Sequence, residues 1–226
     1  MAAKLSKQDL EGPDAFQSTI ELISDYISEN KKRFYSIVTA IIMATVIATG
    51  IYMYWNHYQY SAKEMYAKAN DNLVQNIENP ENANKNIKLF QELVEKYPHS
   101  WSARMAHYHL GNIYYNLGEF DKAITDYKKF VSSRISDKAG IKFFALTSIG
   151  YSYEAKKDYK EALEYFEKAL KSNNAGFESV AYSNIARIYE LMNDKKNALE
   201  SYKKALETAS DTSKAVFIKY KISSLS

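Results

Sequence analysis

Residues 110–123 read LGNIYYNLGEFDKA, and the same skeleton returns at 149–162 as IGYSYEAKKDYKEA and at 185–198 as IARIYELMNDKKNA. The match extends on both sides. One register holds His107, Leu110, Gly111, Tyr114, Ala123, Tyr127 and Phe130. The second holds Leu146, Ile149, Gly150, Tyr153, Ala162, Phe166 and Ala169, and the third holds Tyr182, Ile185, Ala186, Tyr189, Ala198, Tyr202 and Ala205. Spacings within the three segments are identical, while the step from His107 to Leu146 is longer than the step from Leu146 to Tyr182. Length variation confined to the junctions marks each segment as one structural unit, repeated.

The residue types say what the unit is. Apolar positions three and four apart describe helix faces, and the short polar turns Gly118-Glu119, Lys157-Asp158 and Asn193-Asp194 divide each unit into two helices. The small residue Gly111, Gly150 or Ala186 lets the two helices touch, and Ala123, Ala162 or Ala198 does the same from the facing helix. Larger side chains fill the space within and between units. With 7 Gly and 3 Pro in 226 residues, the chain lacks the turn residues of an all-β fold. The expected fold class is all-α: a single membrane-spanning helix followed by an α-solenoid of helix pairs.

The pattern resembles the tetratricopeptide repeat (TPR), in which large, Leu, Gly, Tyr, Ala, aromatic, Ala and Pro positions recur over about 34 residues. On that resemblance three repeats fall at 104–137, 143–176 and 179–212. A divergent repeat at 58–100 precedes them. Its second helix carries Asn86, Phe90 and Leu93 and ends at Tyr97-Pro98-His99-Ser100. Its first helix, roughly Tyr58 to Glu78, is followed by an insert around Asn79-Pro80. The tail after Asp211, with Ala215, Ile218, Ile222 and Leu225, reads as a closing helix over 212–225, since a terminal unit must cover the last apolar face. The repeat domain as a whole spans 58–226.

The resemblance also implies where a partner binds. The first helix of each TPR pair lines a groove, which places Tyr108, Asn112, Tyr115 and Asn116, then Thr147, Tyr151 and Glu154, then Ser183, Arg187 and Glu190 as peptide-binding candidates. Tyrosines supply contact area and amides bond to an extended backbone. TPR domains that clamp an acidic chaperone tail use Lys and Arg beside Asn. Here Tyr108 and Tyr151 stand where cations would help, and a carboxylate clamp is not expected.

Upstream lies a different kind of segment. No formal charge occurs from Phe34 to Ala62, and the run Phe34–Trp55 is apolar almost throughout. At ~1.5 Å per residue that run reaches ~33 Å, enough for a hydrocarbon core of ~30 Å. Lys31, Lys32, Arg33, Phe34 and Tyr35 precede it, and Tyr52, Tyr54, Trp55, Tyr58 and Tyr60 follow, as interfacial anchors do. A cleaved signal peptide fits less well, despite the small pair Ala48 and Gly50, because both the run and the leader before it (1–33) are too long. A buried core helix would show a polar stripe. The expectation is a transmembrane helix at 34–55. The positive-inside rule places residues 1–33 in the cytoplasm and the repeats outside: the periplasm side of an inner (cell) membrane if the source is bacterial. Ser36, Ala40, Ala44 and Ala48 recur every fourth residue and are candidates for close packing with another membrane helix. In the 1–33 segment, after Gly12-Pro13-Asp14, Phe16, Ile20, Ile23 and Ile27 are spaced along one helix face, with Pro13 or Asp14 suited to its first turn. Such a face suits a membrane surface, a partner, or a solvated lead-in helix.

Composition excludes several function classes. There is no cysteine, and so no disulfide, thiolate metal site, cysteine nucleophile or cysteine lipid anchor. The net charge of +3 divides into −1 over residues 1–33 (five Lys/Arg, six Asp/Glu) and +4 beyond, without the concentrated basic face of a nucleic-acid binder. His57, His99, His107 and His109 form no metal-binding spacing, and His107 occupies a packing position of the repeat. No phosphate loop or nucleophile elbow occurs. The expectation is a non-enzyme without cofactor or metal, whose partners are proteins or extended peptides, a membrane helix, and the lipid bilayer.

The layout of short N-terminus, Lys-Lys-Arg, one span, Tyr-x-Tyr-Trp at its exit and outward TPR domain resembles the ancillary subunit of the bacterial SecYEG translocon. That resemblance implies a scaffold near the protein-export machinery, handing exported chains to chaperones. Two alternatives stay open: an assembly factor of another envelope complex, and a cytosol-facing TPR receptor with the orientation reversed.

Overall fold

The computed structural model describes residues 15–75, 82–133, 140–172, 176–210 and 212–226, among which there is no strand. Pro13, Asp14, the insert around Asn79-Pro80 and Asp211 lie outside the described residues, as do 134–137 and 173–175 within the expected repeat spans. The chain divides into two compact units, Met1–Asn56 and His57–Ser226.

The first unit holds α1 (Ala15–Glu29) and the start of α2 (Lys31–Gln75). The backbone ladder runs through the single non-helical residue between them: Asn30 N–H donates to Tyr26 O at 3.0 Å, and Phe34 N–H donates to Asn30 O at 2.9 Å. α2 is 45 residues long. The apolar run 34–55 and the first turns of the leading repeat therefore belong to one helix, because no Gly or Pro between Ile51 and Gln75 ends it. α2 is long and apolar enough, by length and composition, to cross a membrane.

The second unit takes the last turns of α2 and adds α3 (Ala83–Lys96), α4 (Trp101–Asn116), α5 (Phe120–Ser132), α6 (Ile141–Ala155), α7 (Tyr159–Lys171), α8 (Glu178–Leu191), α9 (Lys195–Glu207) and α10 (Thr212–Leu225). From α3 onward each helix packs chiefly on its neighbours in sequence. That nearest-neighbour packing defines a solenoid. The core is a row of layers. Ala62 and Ala69 of α2 join Phe90, Leu93, Ala106, Leu110, Tyr127 and Ile149. At the other end Ile218 of α10 covers Ala186, Tyr202 and Ala205.

Pairs α4/α5, α6/α7 and α8/α9 close by one shared device. Gly118, Lys157 and Asn193, seven residues after Gly111, Gly150 and Ala186, all adopt the left-handed conformation, with φ of 76°, 65° and 60°. The next residue then bonds back across the last turn: Glu119 N–H to Tyr114 O at 2.9 Å, Asp158 N–H to Tyr153 O at 2.9 Å, and Asp194 N–H to Tyr189 O at 2.8 Å. This is a Schellman closure, which satisfies carbonyls the helix end leaves unpaired. Ser100 caps α4 by accepting from Ala103 N–H at 3.0 Å. Asp194 caps α9 by accepting from Asn197 N–H at 3.1 Å.

Candidate interaction surface

Helices α4, α6 and α8 present equivalent turns side by side. Tyr115, Tyr151, Glu154, Lys157, Tyr159, Asn184, Arg187 and Leu191 line a cleft of about 610 Å³ between them. A second, mostly apolar notch of about 390 Å³ lies between α8 and α10, walled by Val180, Asn184, Phe217 and Ile218 among others.

The expected groove residues fall into three groups. Tyr115 and Asn116 stand open or half-open at the cleft mouth, with the Tyr115 ring edge-on to Phe120 at 5.6 Å. Tyr108, Asn112, Tyr151 and Glu190 are half-buried and held by neighbours. The ring of Tyr108 packs on Phe130 at 5.4 Å and Tyr127 at 6.0 Å. Asn112 Oδ1 accepts from the Tyr127 hydroxyl at 2.7 Å. Tyr151 donates to Asn184 Oδ1 at 3.0 Å and lies edge-on to Phe166 at 5.2 Å. Glu190 accepts from Tyr202 at 2.6 Å and from Lys221 at 3.1 Å. Thr147 departs from the expected arrangement: it is 6% exposed and presents no open surface. Ser183 is half-buried beside the second notch.

Arg187, the single cation among those candidates, is spoken for. It is ion-paired with Glu154 of the preceding repeat, donates to Asn184 Oδ1 at 3.3 Å and covers the Tyr151 ring at 5.5 Å. Glu154, Arg187, Asn184 and Tyr151 thus form one polar seam joining α6 to α8 at the cleft floor. Asn184 is the residue sequence reasoning passed over. It is 6% exposed, and its amide nitrogen finds no acceptor among the described residues. The signal was a polar residue between Ser183 and Ile185, one turn before Arg187, on a helix face that must pack.

Burial raises the Tyr108 phenol, a hydrogen bond from Asn112 offsetting part of the rise. Burial also raises Tyr127, and burial with the Glu190 carboxylate raises Tyr202. These groups stay protonated across the physiological range. His107 Nδ1 lies 2.7 Å from Asp126 Oδ1 and bridges α4 to α5. His109 stacks on Phe90 at 5.2 Å, meets the Tyr66 hydroxyl at 2.8 Å, and has its pKa lowered by burial. Among the described residues no group of three His, Cys, Asp or Glu is placed to hold a metal ion.

In the first unit Ser36, Ala40, Ala44 and Ala48 are all exposed. Ala44 and Ala48 form the floor of a shallow notch walled by Ile41, Thr45, Thr49 and Tyr52. The hydroxyls of Thr39, Thr45 and Thr49 each donate to the carbonyl one turn back at 2.8 Å, so these threonines leave no hydroxyl unsatisfied in this stretch of α2.

The profile described as a tetratricopeptide repeat-like domain matches residues 31–226. Two similar solved structures are the MamA RS-1 ArsTM double mutant and MamA 41-end from Desulfovibrio magneticus RS-1. The first has 16% identity and a TM-score of 0.53, over 68% of this chain and 78% of that one. The second has 17% identity and a TM-score of 0.52, over 65% of this chain and 75% of that one. No curated protein matches. At such identities the likeness to the solved structures is one of fold.

Proposed function

We propose a function from one premise: this chain belongs to the tetratricopeptide repeat-like domain family. It is a protein–protein interaction scaffold, and it works by binding a partner's extended segment along α4, α6 and α8. The observation that carries this reading is the cleft floored by Tyr151, Asn184 and Arg187 and flanked by Tyr115 and Leu191. Its rings offer area at low entropic cost, and the unsatisfied Asn184 amide gains most from a carbonyl of an incoming backbone.

The finer reading adds a place. Residues 34–55 anchor the scaffold in an inner membrane, residues 1–33 stay cytoplasmic, and the repeats act outside, at the protein-export machinery. Its support is the charge-free apolar run, the Lys31-Lys32-Arg33 flank and the aromatic exit. Protease added to intact spheroplasts checks the orientation: the repeats should be cut and α1 spared.

The binding reading is tested with full-length protein in mild detergent. A Tyr115→Ala, Leu191→Asp variant alters the cleft mouth without touching the seam, and Lys160→Ala is the off-cleft control. Co-purifying proteins, identified by mass spectrometry, should fall away in the first and persist in the second. Equal recovery from both would move the binding surface off this cleft.

A further inference from the structure

The first unit carries a longer pattern than the four apolar residues of α1. Taken in steps of four and three, the register runs Phe16, Ile20, Ile23, Ile27, Asn30, Phe34, Ile37, Ile41, Ala44, Ala48, Ile51 and Trp55. Eleven of these twelve positions are apolar. This is a heptad with Ile20 at a and Ile23 at d, and it crosses from α1 into α2 without a skip. The structure keeps the two helices in one ladder through Asn30, so the register is physical as well as sequential. Among the described residues nothing of the first unit covers it: Ile20 is 49% exposed, Ile37 50% and Ile41 60%.

A period of 3.5 residues is not that of an isolated α-helix. A stripe that holds this period over many turns winds with a left-handed twist and stays in line only against another helix wound the same way. We propose that the helix covering it is α1–α2 of a second copy, parallel and in register, so that the protein self-associates along the stripe from Ile20 to Trp55. The proposal rests on the reading that 34–55 spans the membrane, which fixes the same direction for both copies.

Four observations favour a second copy over a membrane helix of another protein or a lipid surface. The stripe passes from outside the span (Ile20, Ile23, Ile27) into it (Ile37, Ile41). A partner confined to the bilayer leaves the outer part bare, whereas an identical chain matches both. Asn30 is the one polar residue in the register, and a two-fold pair sets Asn30 against Asn30. Its Nδ2 donates to Tyr26 O at 3.1 Å, which leaves Oδ1 to accept from the other amide. Asn30 stands at d, and only copies in register bring the two amides together; a slipped pairing would set each against apolar side chains without a partner.

Charge is arranged to suit self-pairing. Glu21, Asp25 and Glu29 fall at b, f and c, on the outside. The flanking positions g26 and e31 hold Tyr26 and Lys31, which meet across a parallel seam as cation and ring in both directions. No like charges face one another. A helix lying on anionic lipid carries Lys or Arg on its polar face, and α1 has neither.

The chain has no cysteine, so single substitutions report without background. Full-length protein in its own membranes is oxidised with copper phenanthroline after Cys is placed along the register. Dimer yield should rise and fall with the heptad. Ile23→Cys, Ile41→Cys, Ala44→Cys, Ala48→Cys and Ile51→Cys should exceed Asp25→Cys, Met43→Cys and Val46→Cys several-fold. Asn30→Glu, which sets a charge against itself, should lower the yield at Ile23→Cys several-fold. Flat or absent dimer yield overturns the proposal, as does linkage only to a protein of different mass. Yield confined to Ser36→Cys, Ala40→Cys, Ala44→Cys and Ala48→Cys, with Ile41→Cys and Ile51→Cys silent, overturns the heptad in favour of a small-residue crossing. Alkaline extraction of the same membranes tests the span separately. A chain released into the supernatant that still cross-links with the heptad period sinks the span and keeps the zipper.

Discussion

The ring of Tyr127 on α5 lies against the backbone of Gly111 on α4, so closely that a Cβ at position 111 would stand 2.6 Å from its Cδ1 and Cε1. Phe166 stands in the same relation to Gly150, with Cε1 at 2.6 Å. Neither ring has room to retreat, since Tyr127 is 1% exposed and Phe166 fully buried. Gly111→Ala and Gly150→Ala should each destabilise the protein by about 1–2 kcal/mol, because overpacking costs roughly 1–3 kcal/mol and helix propensity returns up to about 1. Denaturant midpoints at an unchanged slope measure this. A gain in stability would show that the helices separate easily.

That contact also shows what was legible in the sequence. The small residue at 111, 150 and 186 and the large one sixteen later are local signals, repeated three times, and their packing follows from them directly. The turns at Gly118, Lys157 and Asn193 were legible for the same reason. Three things were not. Asn184 is buried and accepts from Tyr151 of the preceding repeat, a contact that no spacing within one repeat encodes. The pairing of Arg187 was hidden because its partner Glu154 sits in the preceding repeat, and only the superposition of turns brings the two together. Stacking of His109 on Phe90 was hidden likewise, because it joins the clear repeats to the divergent one.

Lys157 supplies a prediction of opposite sign. Its φ is 65°, where Gly118 performs the same turn at 76°. A side chain in this region costs roughly 1–2 kcal/mol, against about 0.5–1 for the extra unfolded-state freedom of glycine. Lys157→Gly should therefore raise stability by up to about 1 kcal/mol, read as a higher melting temperature. Gly118→Ala should lower it. If Lys157→Gly destabilises instead, the side chain makes contacts that outweigh its backbone strain.

Acid should loosen the junction of α2, α3 and α4. Burial holds His109 below its ordinary 6.5, so the unfolded chain binds a proton there before the folded one does. Stability from this group is present above 6.5 and is lost as pH falls toward the lowered folded value. The facing phenols of Tyr66 and Tyr108 are raised by burial and do not titrate in this window. His109→Gln should flatten the dependence between neutrality and pH 5 without inverting it. An unchanged slope would assign the acid sensitivity to other groups.

The closing helix is tied down by a shared carboxylate. Glu190 of α8 accepts from Tyr202 of α9 at 2.6 Å and, through both oxygens, from Lys221 of α10 at 3.1 Å. The site is only partly screened from water, so each bond should contribute about 1 kcal/mol rather than the larger value of a dry ion pair. A cycle of Tyr202→Phe, Glu190→Gln and the double variant should give a coupling of about 0.5–1 kcal/mol. Lys221→Met acts elsewhere in the same cluster: Ile218 still covers Ala186 and Tyr202, so the fold should persist. Release of α10 by limited proteolysis should nevertheless quicken in Lys221→Met and Glu190→Gln alike. Quickening in neither would mean that α10 is held by its apolar face alone, with the carboxylate serving only Tyr202.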